Sequence, residues 1–318
     1  MPKILRKKPN YLFLISSVFL LSFIIWNYHS SWLVSQLSLE TAHQGLVTHE
    51  KTVKALYANT EIVLTTPVEG KITMIQEEGQ RFRKGETLVS ILPTGIDYAQ
   101  SKEEALVTAP ISGLFYSYRD GLEQVITPEN LMNMDLSGLL SQVESRPQTE
   151  NLQNTTGSNN DAVSKHFPVG KMVNNLYPSW MFVYLENVDI TMIKDDTVKF
   201  IIENQEYLGT VMKISGQPKG AVVRFTQYVK GTTENRVKDV IWKHKASTKG
   251  LLVPVSALCT FGEEKGVYIG DQGIIHFKNV KVLDYNESVA CVEGIPEGAQ
   301  VITNPRKGIA GLAIKKKT

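Results

Sequence analysis

The feature that most constrains this chain is an internal echo. The segment Thr66-Pro67-Val68-Glu69-Gly70-Lys71-Ile72 is matched by Ala109-Pro110-Ile111-Ser112-Gly113-Leu114-Phe115, with both prolines and both glycines offset by 43 residues. Further on, Gly79 answers to Gly121 at an offset of 42, and Leu88 to Leu131 at 43. Proline can open a strand where no ladder N–H is needed, and glycine marks a bend or a close approach of strands. The text from Glu61 to Leu92 is rich in β-branched residues and broken by turns, which leaves no room for a long helix. Two halves of one design predict an interlocked, flattened β-sandwich over residues 47–126. Its halves lie at 60–92 and 108–126 and are joined by a short loop at 93–107.

The chain of 318 residues is long enough for two or three domains. Its one long apolar block runs from Tyr11 to Val34 without a formal charge. As a helix it would extend about 36 Å, against a hydrocarbon layer of roughly 30 Å. Lys3, Arg6, Lys7 and Lys8 precede it and the next basic residue is Lys51, while Trp26, Tyr28 and Trp32 stand at its far end. The positive-inside rule then leaves 1–10 as a cytoplasmic basic N-terminus and 11–34 as a single-pass anchor in the plasma (inner) membrane, with the bulk of the chain outside. A cleaved signal peptide shares the basic and apolar pattern. The exit NYHSSWLVSQLS, however, offers no small-x-small cleavage site.

Lys and Arg number 34 and Asp and Glu 32, so the net charge of +2 supplies no field to recruit nucleic acid. No P-loop, H-E-x-x-H or G-x-S-x-G is present, and no His or Cys pair has metal-ligand spacing. No catalytic, cofactor-binding or metal site is assigned, and the chain reads as a non-enzyme. His43 and His49, beside Glu50, are expected to face solvent. Of the two cysteines, Cys259 and Cys291, an oxidising exterior would permit a disulfide; buried free thiols are the alternative.

After the sandwich, Thr127 offers an N-cap with Pro128 at the first helical position, and Leu131, Met134, Leu139 and Val143 share one face. A short helix is expected over 127–143, although the repeat match at Leu131 would make the same residues a strand start. Residues 144–165 contain almost no large apolar side chain and read as a disordered linker. Residues 166–250 alternate in short runs between turns, as a small β-barrel would. Residues 251–318 form a last β domain. Lys243-His244-Lys245 and Lys315 to Lys317 are basic clusters. They are read as solvated charge, with anionic lipid as the sharper alternative for the second.

The sandwich pattern resembles the lipoyl or biotinyl fold. Val68-x-Gly70 and Gly79-Gln80-Arg81-Phe82-x-x-Gly85-Glu86-x-Leu88 match its V-x-G and G-x-x-V-x-x-G-[DEQ]-x-L elements. Lys102 lacks the M-K-M or D-K-A setting of that fold's modified lysine, which leaves it a loop lysine. Over nearly the whole chain the order of features is similar to the HlyD-type membrane fusion proteins, or periplasmic adaptor subunits. Lys249-Gly250-Leu251-Leu252-Val253-Pro254 and the segment through Leu258 match their G-[LM]-x-V-P-x-x-A-[LV] element. Asp195 stands where the barrel's G-[DQ]-x-V-x-[LF] has glycine. Pro67, Gly70, Gly79, Gly85, Pro110, Gly113, Gly250, Val253 and Pro254 therefore serve as fold-signature residues.

The resemblance implies a mainly β fold: an N-terminal transmembrane helix, a lipoyl-like sandwich, a β-barrel and a membrane-proximal β domain. It also implies a homo-oligomeric, membrane-bound adaptor that serves an export or efflux transporter, an ABC-type or other permease. In tripartite pumps a long helical hairpin stands between the sandwich halves. At 1.5 Å per residue the loop 93–107 cannot form one of useful reach, which argues against engagement of an outer-membrane duct. The short loop also suits an envelope structural protein of the same fold, acting in wall assembly or division.

Overall fold

The computed structural model describes residues 16–18, 20–22, 32–94, 103–144, 160–233 and 235–314. Most of the expected anchor 11–34, Lys102 and most of the linker lie outside these. The described parts of the apolar block, 16–18, 20–22 and 32–34, are helical. Among the described residues no helix is long and apolar enough to cross a membrane. The fold is mainly β, and it divides into two units. One comprises 1–49 with 245–318, and the other 50–244.

The larger unit begins and ends in a barrel and carries the sandwich between. The sandwich consists of two four-stranded sheets. In one, strand Thr87–Pro93 lies between Ala105–Thr108 and Gly70–Ile75, and Ala162–Val163 completes the edge. In the other, Pro168–Val173 lies between Glu61–Thr65 and Gly113–Tyr116, and Arg81–Phe82 completes the edge. The two sheets correspond strand for strand. Gly70–Ile75 answers to Gly113–Tyr116, and Thr87–Pro93 to Pro168–Val173. Each half sends its leading strand into the sheet of the other, so neither sheet is complete without both halves. Apolar residues of both meet in one core that includes Ile72, Leu88, Ile91, Phe115, Val169 and Met172.

This arrangement corrects three expectations. The second half does not end at 126, because its closing strands, 162–163 and 168–173, come after the linker. The structural counterpart of Leu88 therefore lies in Pro168–Val173, and the match to Leu131 is a coincidence of spacing. The boundary at 166 also moves, since Pro168–Val173 is a central sandwich strand. Finally, residues 47–58 belong to the long strand His43–Ala58, whose end pairs with Trp180–Tyr184 in the barrel.

The residues between Gly121 and Ala162 are thus an insertion in the second half. They include α1 (Pro128–Asn133) and α2 (Leu136–Glu144). Thr127 caps α1 by accepting the Asn130 backbone N–H, and Pro128 occupies the first turn. Leu131, Leu136, Leu139 and Leu140 pack with Leu56, Phe182 and Val222 of the barrel. The single expected helix is two, because Met134 is extended and Asp135 restarts the chain by accepting the Gly138 N–H.

The barrel runs Thr197–Ile202, Gln205–Gly216, Lys219–Phe225, Trp180–Tyr184, His43–Ala58 and Val237–Pro254. It closes where Phe200 faces Trp242. Its interior holds Tyr57, Met181, Phe200, Val211, Phe225 and Trp242. Asp195 adopts a positive φ of 68°, which explains why a residue tolerant of left-handed backbone stands at the glycine position.

In the smaller unit a five-stranded sheet contains Leu39–Thr41, Gln300–Ile302, Glu264–Asp271, Leu258–Phe261 and Ile274–Asn279. Residues 251–254 pair with Val289–Glu293, which pairs in turn with Lys281–Tyr285. The domain drawn at 251–318 therefore also includes residues from before the sandwich: Leu39 faces Ile302, and Ala42 lies in its core. Cys259 and Cys291 are free thiols, so the disulfide is not formed.

The glycines of the echo carry a steric demand. A Cβ on Gly70 would collide with the carbonyl oxygen of Leu92, and one on Gly113 with that of Val173. Gly113→Ala is expected to cost about 1–3 kcal/mol of stability. Gly216→Ala, where nothing lies within 4 Å, should stay within about 0.5 kcal/mol. Denaturant midpoints of the two variants test this.

Candidate functional site

Gly79 and Gly85 occupy turns at φ of 74° and 90°, with no neighbour that a side chain would meet. Gly121 repeats the Gly79 turn at 70°. Pro67 and Pro110 are both exposed, each after a buried residue, Thr66 and Ala109. Gly250, Val253 and Pro254 lie on the strand that faces Ala290 and Val289, and a Cβ on Gly250 would strike the Cys291 sulfur. These residues determine shape, and none of them presents a reactive group.

The charged chemistry of the larger unit is concentrated in a buried network that sequence reading did not find. Strand Glu61–Thr65 contributes Glu61 and Pro168–Val173 contributes Lys171, both side chains fully buried. Arg236 comes from the segment entering the last barrel strand, and Asp120 and Glu123 from the turn that leaves the second sandwich half. Arg236 donates through Nη2 to Glu61 Oε2 at 2.6 Å and to Asp120 Oδ1 at 3.1 Å, and through Nε to Asp120 Oδ2. Lys171 Nζ donates to Glu61 Oε2 at 3.2 Å, lies 3.7 Å from Glu123 Oε1, and stands 5.3 Å from the centroid of the Tyr118 ring. Glu123 also accepts the Asp120 N–H at 2.9 Å.

Burial by itself would raise the Asp120 carboxyl. The Arg236 charge and hydrogen bonds override it, with help from Lys171 and the Leu122 N–H, and bring the group down to about 2. Burial would likewise lower Arg236, but Glu61 and Asp120 hold it above its ordinary value. A lysine and an arginine committed to three carboxylates present no poised acid, base or nucleophile. What the network does is bind sandwich strands, the insertion turn and a barrel strand into one body. Single lysines and glutamates on strands read as exposed positions, so only the fold reveals it.

A second cluster lies in the smaller unit. Asp284 accepts from Lys245 Nζ at 2.7 Å and Thr248 Oγ1 at 2.8 Å, and its Oδ2 lies 2.7 Å from His49 Nε2. The hydrogen bonds of Lys245 and His49, with that of Thr248, hold the Asp284 carboxyl far below the usual range against the opposing effect of burial. His49, expected in solvent, is buried. Residues 49 and 245 are where the chain passes between units, so one carboxylate holds both crossings. Of the basic run, Lys243 pairs instead with Glu206.

The interlocked sandwich, the closed barrel and a β domain built from both ends of the described chain are now in place. No protein-family model matches the sequence, and no curated protein does. Similar solved structures include ZneB from Cupriavidus metallidurans, 10% identical over 86% of this chain and 93% of that one, with a TM-score of 0.34. MacA from Actinobacillus actinomycetemcomitans is 12% identical over 84% and 99%, with a TM-score of 0.36. A MacA–MexA chimeric protein containing the Pseudomonas aeruginosa MexA α-hairpin domain is 14% identical over 68% and 88%, with a TM-score of 0.32. Superpositions this loose leave the functional case to the chain's own residues.

Removing Lys171 takes away the cation beside buried Glu123 and leaves Glu61 with Arg236 alone. Lys171→Met should cost about 3–5 kcal/mol, and Lys84→Met, at an exposed position, almost nothing. The depressed Asp120 pKa contributes stability that is fully present above the unfolded value of about 3.9. That contribution is lost as pH falls toward about 2. Asp120→Asn should therefore be less stable than the parent at pH 7, with the difference shrinking between about pH 4 and 2. Denaturant titrations across that range check both.

Proposed function

We propose that this chain is a membrane-anchored, extracytoplasmic adaptor subunit of an export or efflux transporter, without enzymatic activity of its own. The observation that carries the reading is the out-and-back path. The chain leaves the apolar block 11–34, adds a strand to the smaller unit and passes through one side of the barrel. It then builds the sandwich, returns through the barrel and finishes in the unit where it began. Such a path keeps the segment that follows the apolar block and the last described strands in one unit, which supports a β-rich protein tethered through that unit. The block itself has the length, the preceding basic residues and the aromatic exit of a single-pass helix, with the N-terminus in the cytoplasm. A separate permease, ABC-type or other, supplies the energy, and the adaptor assembles around it as a homo-oligomer.

The loop 93–107 restricts the partners. At 15 residues the segment 93–107 is too short to form a helical hairpin of useful reach, which supports a subunit that does not extend to an outer-membrane duct by a coiled coil. The same short loop favours, as a second reading, a structural protein of the envelope that works without a transported substrate.

Crosslinking in native membranes separates the two. The adaptor reading expects an integral transporter among the captured proteins, and loss of export of its substrate when the gene is deleted. Capture of wall-assembly or division proteins, with export and efflux unchanged, would overturn it in favour of the structural role.

A further inference from the structure

One face of the five-stranded sheet in the smaller unit looks into its core, where Val267, Ile269 and Val301 pack with Ala42. Side chains alternate along a strand, so Tyr268 and Ile302 point the other way. With Ile275 they form a second apolar cluster, which Val34 and Leu37, at the exit of the apolar block, cover together with Ile309 and Leu312. Asn304 fastens this cover by accepting the Ser38 N–H at 2.8 Å and donating to the Gln36 carbonyl at 2.8 Å.

The cover leaves one end of this face open. Phe261 closes the strand Leu258–Phe261 on the same side as Cys259, which belongs to the second cluster. On the other side of Glu264–Asp271, the Phe277 ring lies over Gly266, where a Cβ would strike it. Its centroid is 5.3 Å from that of Tyr268 and 5.5 Å from that of Phe261. A continuous apolar surface thus runs from Val34 and Leu37 through Tyr268 and Phe277 to Phe261, which ends it 66% exposed. As a helix the block 11–34 would extend about 36 Å, against roughly 30 Å of hydrocarbon, which puts its last residue, Val34, at the membrane surface. Trp32, 48% exposed, is suited to the same depth. Glu263 and Glu264, on the turn after Phe261, set a limit in the other direction, because carboxylates are costly in hydrocarbon.

From this juxtaposition we propose that Phe261, with Phe277 beside it, seats the smaller unit on the bilayer by entering the headgroup boundary next to the anchor. Lipid is the occupant, rather than a second copy or a permease, because the surface is continuous with the last residue of the span. The inference rests on the anchor reading of residues 11–34. Its consequence is a second, apolar attachment that fixes which face of the sheet is turned to the membrane. Because it removes rings from water and pairs no charges, it requires no anionic lipid and is not screened by salt.

The test uses the full chain reconstituted in phosphatidylcholine nanodiscs, with or without bromine on the acyl chains near the headgroup. Bromine quenches tryptophan fluorescence on contact. Phe261→Trp keeps an aromatic ring at the site, and Tyr177→Trp, at a 59% exposed position of the other unit, is the reference. In the parent, loss of native tryptophan emission in the brominated discs reports that the block 11–34 is inserted. The emission added by Phe261→Trp should fall by at least about a third in those discs, at low salt and at about 0.5 M salt alike, as for a ring at headgroup depth. The emission added by Tyr177→Trp should not change. If the parent is quenched but the emission added by Phe261→Trp is not, or if both added emissions fall equally, the seat is overturned and the anchor stands. Elution of the protein apart from the discs removes the anchor, and this inference with it.

Discussion

The structure depends on two places where one backbone passes so close to another that no side chain fits between them. Gly70 lies against the carbonyl of Leu92 and Gly113 against that of Val173. These contacts let the second strand of each half lie tightly beside the last strand of the same half. The leading strands then cross into the opposite sheets, and the two halves become inseparable. Everything else in the larger unit is attached to this knot. The insertion leaves it after Gly121, docks its two helices on the barrel and returns as strands 162–163 and 168–173.

The buried charges belong at the same junction for a physical reason. A charge removed from water is tolerated only when partners replace its hydration, and the partners here come from separate segments. Lys171 and Glu61 lie on neighbouring sandwich strands, Asp120 and Glu123 at the departure of the insertion, and Arg236 at the entry to the barrel. Moving any of these segments away would leave an unpaired charge in a dry environment. The network therefore resists relative motion more than an apolar contact of the same size, which can slide. Asp284 acts similarly in the smaller unit, where His49 and Lys245 bring both chain crossings to one carboxylate.

Local pattern made part of this legible. The paired prolines and glycines showed a two-part sandwich, Thr127-Pro128 showed a capped helix start, and alternating runs showed strands, because each is a demand that a few neighbouring residues place on the backbone. The Leu88 and Leu131 correspondence failed because an apolar residue at the right offset satisfies a helix buried on the barrel as well as a strand. His49 misled for a related reason: a polar residue on a strand is read as exposed unless its distant partner is known, and Asp284 is 235 positions away.

By itself the sequence determined the β class, the sandwich signature, the apolar block with its basic flank, and a loop at 93–107 too short for a helical hairpin. These depend on composition and on spacing within some tens of residues. Only the tertiary structure decided which strands complete the second half. It alone brought five charged residues into one buried network, and residues 32–38 beside 303–314. Those outcomes come from pairings between segments far apart in the chain, and such pairings are selected by the packing of the whole core rather than by any local preference.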